Sequence, residues 1–224
     1  GDVVTRFSRA INERGDVRDP TVWLPMWLPT PGNRRYKRIL AEFREFVEAR
    51  IDERRGRADE YDDLLSLLLT AEGEEGGMSE VEVRDQMTTF LFAGHETTSL
   101  ALTYAFLELA KRADVRDRLD AEHGDVLGGN PPDLADFGDL EYTEQVVDET
   151  LRLYPPAHIL FREPRRDVAF EGYRVPAGSK VSLPQFHVHR DERWYDDPER
   201  FRPGRWADGR GDDRPEYAYF PFGG

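Results

Sequence analysis

The 224-residue sequence contains no cysteine. That absence excludes a disulfide, a zinc knuckle, a thiol nucleophile and a thiolate metal ligand within these residues. Lysine is almost missing: Lys37, Lys111 and Lys180 stand among 31 basic side chains, and arginine supplies the rest. Histidine is scarce, at five residues. No hydrophobic run is long. The longest uncharged apolar-rich stretch, 97–107, falls far short of the ~20 residues that cross a bilayer, so the expectation is no membrane span and a cytoplasmic location. The N-terminus has neither an initiator methionine nor a basic-then-apolar leader pattern, and reads as a cut start. Basic charge is in deficit, with 45 acidic residues, a formal net charge of −14 and a sequence pI near 4.9. A nucleic-acid binder needs a basic face, so that class is excluded.

Leu, Ile, Val and Phe make up roughly a quarter of the chain, just above the ~20% below which chains are disordered. A lean core is therefore available, in one domain or two. No internal repeat is present. Tyr36, Ile39, Leu40, Phe43, Phe46, Val47 and Ile51 recur at three- and four-residue steps and predict a first helix over 33–55. The Pro-rich stretch before it, 24–32, is loop, and Trp23, Trp27 and the helix aromatics read as core or lid packing. The Arg-rich helix end 50–57 is balanced by Asp52, Glu53 and Asp59. A shorter helix is expected over 62–70 and an acidic connector over 72–77. Ser79 and Glu82 form a capping box ahead of a long helix over 80–112. Its middle is apolar nearly all round, which predicts passage through the interior. Asp114 is expected to cap the next helix and Gly124 to end it. Another helix covers about 142–153, stopped by Pro155-Pro156.

Beyond Pro156 the pattern changes period. Val168 and Phe170, Tyr173 and Val175, then Val181 and Leu183 alternate around a Pro176-Ala177-Gly178 turn, which predicts a small β-sheet. Residues 190–224 read as an irregular meander held by Trp194, Tyr195, Phe201 and Trp206. The fold class is mainly α, within the α+β group.

Three features carry chemistry. The first is Ala93-Gly94-His95-Glu96-Thr97-Thr98, inside the apolar helix. A mid-helix glycine costs about 1 kcal/mol relative to alanine, and a buried carboxylate costs more unless paired. Gly94 frees room for a flat ligand against the backbone, Thr97 offers a hydroxyl and Glu96 a titratable proton carrier. The same pattern also describes a kinked core helix with solvated polar residues. The second is Glu149-Thr150-Leu151-Arg152, whose i to i+3 spacing puts acid and base on one helix face. Most such pairs are surface decoration worth under ~1 kcal/mol. The third is the aromatic and glycine pairing of Pro203-Gly204-Arg205-Trp206 and Tyr219-Phe220-Pro221-Phe222-Gly223-Gly224, which suggests backbone approaching something closely.

Taken in order, these segments resemble the cytochrome P450 family of haem-thiolate monooxygenases. The family's [Ala/Gly]-Gly-x-[Asp/Glu]-Thr-[Thr/Ser] segment is matched by Ala93 to Thr98. Its Glu-x-x-Arg is matched by Glu149 and Arg152, its Pro-x-Arg-[Phe/Trp] by Pro203 to Trp206, and the start of its Phe-x-x-Gly-x-Arg-x-Cys by Phe222-Gly223-Gly224. The resemblance covers roughly residues 20–224. It implies a partial P450 domain, helical over residues 1–156, with a small β region at 157–189, and a meander with the start of the haem-binding loop at 190–224. Together with the acid-rich, lysine-poor surface, which fits a high-salt cytosol (a GC-rich genome also favours arginine), it suggests a haloarchaeal member.

The resemblance assigns roles residue by residue. Glu96 and Thr97 would be the acid–alcohol pair that delivers protons during dioxygen activation. Ala93 and Gly94 would line the distal face of the haem. Glu149, Arg152 and Arg205 would form a structural salt-bridge triad, with Arg205 preferred over Arg200. Arg162 would meet a haem propionate, and Phe222 and Gly223 would open the haem loop. Leu91, Phe92, Ala157, Ile159 and Leu160 would touch an apolar substrate. The electron donor would be a ferredoxin or flavoprotein. The axial cysteine would follow Phe222 by seven residues, beyond this sequence, so the 224 residues alone are expected to be inactive. His95 is given no axial role.

Two rivals remain at this level. His187-Val188-His189-Arg190-Asp191 places two histidines on one face of a strand beside an aspartate, as in some metal-dependent hydrolases, although Glu192 stands where another histidine is wanted. The other rival is a non-catalytic truncated paralogue, which the intact acid, alcohol and arginine positions argue against.

Overall fold

The structure, a computed structural model, describes residues 2–15, 24–70, 78–209 and 214–223. Trp23, Gly224 and the acidic connector 72–77 lie outside the described residues. The chain is mainly helical, with seven α-helices and four short strands among the described residues, and it divides into two compact units, 1–96 and 97–224.

The first unit begins with α1 (Asp2–Gly15), which the pattern reading missed. Val4, Phe7 and Ala10, at three-residue steps, are its buried face. α2 (Pro31–Arg54) starts before Asn33 because Thr30 Oγ1 accepts from the Asn33 backbone N–H at 3.1 Å and Pro31 needs no donor at the first helical position. The buried Asn33 side chain donates to the carbonyls of Pro25 and Leu28, pinning the proline-rich loop to the helix. Phe7 stacks on Phe43 at 3.9 Å between ring centroids, and Phe92 meets Phe7 edge-on. Val47, Ile51, Leu65, Leu68 and Val83 complete this core. Trp27 is no part of it, being 76% exposed. α3 (Leu64–Thr70) begins after Asp63, whose Oδ1 accepts from the Ser66 N–H. The arginines near the end of α2 pair with Glu53, Glu60 and Asp63, and Asp59 takes no part in these ion pairs.

α4 (Glu80–Lys111) carries the expected capping box: the Ser79 N–H donates to Glu82 Oε2 at 2.8 Å, and the Glu82 N–H donates to Ser79 Oγ. The expectation that it runs through an interior is not met. Val83 and Glu108 are its buried residues, whereas Leu102, Phe106 and Leu107 are exposed. A helix apolar on every side needs a partner on every side, and within each unit packing reaches one flank.

In the second unit, α5 (Ala113–Leu127) is preceded by Arg112 at the N-cap; Asp114 sits inside the first turn and does not cap. Gly124 is helical, and the stop is Gly128 at φ +57°, a left-handed position that costs glycine little. α6 (Glu141–Leu153) packs on α5 and the meander through Val115, Leu119, Tyr142, Val146, Leu153 and Phe201. Tyr195 is buried in the meander, while Trp194 is exposed. The strands form two separate antiparallel pairs. β2 (Val168–Phe170) pairs with β3 (Tyr173–Val175) across Glu171-Gly172, both at positive φ as a two-residue hairpin of this type requires. β1 (Leu160–Arg162) pairs with β4 (Val181–Leu183). The hairpin turn is thus Glu171-Gly172, and Pro176-Ala177-Gly178 is a connector stitched by Asp167 Oδ1 to the Ala177 N–H. α7 (Gln185–Val188) leads into the meander.

Candidate functional site

The densest polar arrangement lies at the end of α6. Glu149 and Arg152 have fully buried side chains and a two-pronged ion pair, with Nε to Oε2 at 2.8 Å and Nη2 to Oε1 at 2.9 Å. Arg205 Nε donates to Glu149 Oε1 at 2.9 Å, Trp206 Nε1 to Oε2 at 3.0 Å, and the Arg202 N–H to Oε1 at 2.8 Å. One carboxylate therefore takes five donors. The remaining guanidinium protons go to meander carbonyls: Arg152 to His189, Pro198 and Arg200, and Arg205 to Asp196, Asp197 and Arg200. Burial pulls the Arg205 pKa down, against the opposing pull of Glu149. Arg205 is the second guanidinium, as the motif reading preferred; Arg200 contributes its carbonyl. Buried charges persist only when paired and hydrogen-bonded, and this centre ties α6 to the meander over more than fifty residues of chain.

Beside it, α7 and the C-terminal stretch meet. The His187–Asp191 segment is helix and turn, not strand, so the two histidines do not share a strand face. His187 is exposed, and His189 is fully buried with Nε2 accepting from the Phe220 N–H at 3.0 Å. Burial lowers the His189 pKa to about 4. Among the described residues no group of three His, Cys, Asp or Glu side chains could hold a metal ion. The metal-hydrolase reading falls with these observations. Tyr219 donates its hydroxyl to Asp148 Oδ1 at 3.0 Å, and burial raises the pKa of both groups.

The residues assigned by resemblance are placed as follows. Ala93, Gly94 and Glu96 lie on α4 in the first unit, and a Cβ built on Gly94 would meet no atom within 4 Å. Glu96 is half-buried, and its Oε1 accepts from Asn12 Nδ2 at 2.9 Å. Thr97 is the next residue of the same helix and is exposed. Leu91 and Phe92 are partly buried against the first core. Ala157, Ile159 and Leu160 are half-buried in the second unit. There Arg162 and Gly223 are brought together: Gly223 sits at φ +90°, and a Cβ on it would lie 3.9 Å from Arg162 Nη2 and 3.3 Å from Leu160 Cδ1. Phe222 is 88% exposed.

Sequence reasoning missed Glu108. It is buried and takes donors from Tyr154 (2.9 Å), Lys111 (3.1 Å) and Arg112. Burial pushes its pKa up, but those three partners outweigh it and leave the pKa below the ordinary value. Its spacing of i+3 and i+4 to the two cations was the available signal. Tyr154, also stacked on Tyr104 at 4.4 Å, offered none.

Comparison with known proteins agrees with this geometry. The sequence model described as Cytochrome P450 matches residues 4–224. The chain is 41% identical over 198 residues to cyclooctat-9-en-7-ol 5-monooxygenase of Streptomyces melanosporofaciens, covering 88% of this chain and 43% of that protein. It is 38% identical over 197 residues to pentalenene oxygenase of Streptomyces avermitilis, covering 88% of this chain and 44% of the relative. Among solved structures, a retinoic-acid-bound cyanobacterial CYP120A1 aligns with a TM-score of 0.76 at 30% identity, over 99% of this chain and 50% of that one. The chain thus spans about half the length of the proteins it matches.

Proposed function

We propose, since the chain belongs to the cytochrome P450 family, that it is the C-terminal half of a monooxygenase that hydroxylates an apolar organic substrate with dioxygen. The observation that carries this reading is the five-donor burial of Glu149 by Arg152, Arg205, Trp206 and Arg202, at the positions of two family motifs.

The residues present fit a portion of a haem site. Within the first unit Gly94 adds no side chain to its helix face, and within the second, taken by itself, Arg162 is an exposed guanidinium beside Gly223 whose chemistry suits a propionate. The sequence holds no cysteine, so these 224 residues do not themselves supply the axial thiolate that the family's haem iron takes. The haem, when bound, would supply the activation of dioxygen, with one oxygen atom entering a C–H bond and the other leaving as water at the expense of two electrons and two protons.

Around it the chain's own residues bind and move protons. By the resemblance, Glu96, whose Oε1 accepts from Asn12, and Thr97 would be the acid–alcohol pair that relays protons. Ala93 and Gly94, at the small positions of the family's helix motif, would line the haem. By the resemblance, Leu91 and Phe92 of the first unit, and separately Ala157, Ile159 and Leu160 of the second, would be apolar positions that touch substrate. Relatives named for cyclooctat-9-en-7-ol and pentalenene, and a structural neighbour bound to retinoic acid, support that substrate class. The electron donor is a ferredoxin or flavoprotein. No helix among the described residues is long and apolar enough to cross a membrane. The net charge of −14 with three lysines supports a high-salt cytoplasm, as in a halophilic archaeon.

The test is to express the full reading frame that contains this chain and record the reduced carbon monoxide complex. A thiolate-type absorption is expected; an imidazole-type band, or none, overturns the proposal.

A further inference from the structure

Two side chains of the α7 region close on a single residue of the C-terminal stretch. The Gln185 amide donates from Nε2 to the Phe220 carbonyl, and the Phe220 N–H donates to His189 Nε2 at 3.0 Å. Gln185 and His189 are both 0% exposed. One lies a helical turn beyond the other, so one face of α7 presents a donor and an acceptor at the spacing of one peptide residue. The ring of His189 meets Phe220 edge-on at 5.3 Å and Tyr219 at 5.3 Å. Tyr219 is separately tied to Asp148 through its hydroxyl.

Directly after this clasp the chain turns. The Gly223 N–H donates back to the Phe220 carbonyl at 3.0 Å, with proline second and glycine fourth in the turn. The Phe220 carbonyl therefore accepts from the turn it starts and from Gln185 together. Gly223, at φ +90°, has Leu160 and Arg162 as the neighbours a Cβ would meet.

We propose that Gln185 and His189 are positioning residues for the iron-ligand loop: their grip on both backbone groups of Phe220 fixes the turn from which that loop departs. The proposal rests on the monooxygenase reading above. His189 acts as an acceptor through Nε2, which assigns the proton of the neutral ring to the buried Nδ1. Its buried ring, with Phe220 edge-on and Tyr219 tilted against it, excludes water that would otherwise compete for the Phe220 N–H.

The experiment uses the full-length protein with haem. His189→Phe keeps a flat ring and removes the acceptor; His189→Gln keeps an acceptor near Nε2; Gln185→Met removes the other half of the clasp. Two quantities are read on each folded protein: backbone amide hydrogen exchange at Phe220, and the fraction of bound haem giving the thiolate-type carbon monoxide spectrum. The expected result is at least tenfold faster Phe220 exchange and a severalfold lower thiolate-type fraction in His189→Phe and Gln185→Met, with both restored in His189→Gln. A merely structural role would lower the melting temperature while leaving the thiolate-type fraction of the folded holoprotein unchanged, and that outcome overturns the proposal. Should His189→Phe fail to fold, Gln185→Met alone decides it by the same two readings. Absence of the thiolate-type spectrum in the wild-type protein sinks the monooxygenase reading itself, and is distinguished from failure of the clasp by the wild-type control.

Discussion

Glu149 and Arg152, three residues apart on α6, face each other through two hydrogen bonds of 2.8 and 2.9 Å, and neither side chain reaches solvent. Removing one member leaves the other charged, buried and short of partners, which costs about 3–5 kcal/mol. Arg152→Ala and Glu149→Gln in the full-length protein are therefore expected to lose that much stability or fail to accumulate folded. Arg200→Ala removes a side chain that makes none of these bonds, since Arg200 enters through its carbonyl, and is expected to cost about 0.5 kcal/mol or less. Chemical denaturation of the three variants checks this; equal losses in Arg200→Ala and Arg152→Ala would refute the assignment of Arg205 to the pair.

The buried His189 makes a pH prediction with a definite sign. Burial lowers its folded pKa to about 4 from an ordinary value of 6.5. The neighbouring positive groups, Arg152 and Arg190, act in the same direction. Tyr219, packed on the ring, stays neutral because burial raises its pKa. Below pH 6.5 the unfolded chain takes up the proton and the folded chain does not. Stability is full above that pH and falls progressively to pH 4, by up to about 3 kcal/mol. Asp148 works the other way: burial raises its pKa, so the folded state protonates first and gains as acid is added. The lowered Glu108 and Glu122 begin to lose stability only as the pH drops below about 4.5. Between pH 6.5 and 4.5 the His189 contribution falls as acid is added, and Asp148 acts against it. Denaturation midpoints measured across that window should fall more with added acid in the wild type than in His189→Gln; parallel slopes would be the contrary result.

Some of this was legible in the residues and some was not, and the division is physical. Ser79 and Glu82 were readable because a capping box is a local exchange of two hydrogen bonds. The i to i+3 pair of Glu149 and Arg152 was readable as a pair, but its burial was not. Only the return of residues 198–206 takes it out of water, and nothing in a four-residue spacing announces contacts fifty residues away. His187 and His189 were misread because a strand and a single helical turn both accommodate the segment, and propensity over five residues does not decide. α1 was overlooked since its apolar face is short, although Val4, Phe7 and Ala10 have the right spacing. The apolar surround of α4 promised burial, yet periodicity reports what a helix demands and not what this chain supplies.

Gly124 and Gly128 offer a compact test of where α5 ends. Gly128 has φ +57°, where a side chain is strained, whereas Gly124 is helical with open space around its Cβ direction. Gly128→Ala is expected to destabilise by about 1 kcal/mol. Gly124→Ala should stabilise by up to about 1 kcal/mol, because alanine is the better helix former. Thermal melts of the two variants should shift in opposite directions. Destabilisation by both would return the helix stop to Gly124.

Glu96 and Thr97 carry the proposed proton path, and their effects should separate from those of the structural centre. Glu96→Gln keeps a group that can bond Asn12 but removes the transferable proton; Thr97→Val keeps the shape and removes the hydroxyl. Both lie on α4 away from the Glu149 pair in sequence, and neither is a member of that buried centre, so folding and the thiolate-type spectrum are expected to be retained. Turnover in the full-length enzyme should fall about 100-fold, within the ordinary range for a lost acid–base group. Electron consumption should fall less than product formation, because reducing equivalents still arrive while delivery of protons to the productive path is slowed. Measuring donor oxidation and hydroxylated product together tests this. If both variants turn over and couple like the wild type, the proton path runs through other residues and the Asn12–Glu96 contact is structural.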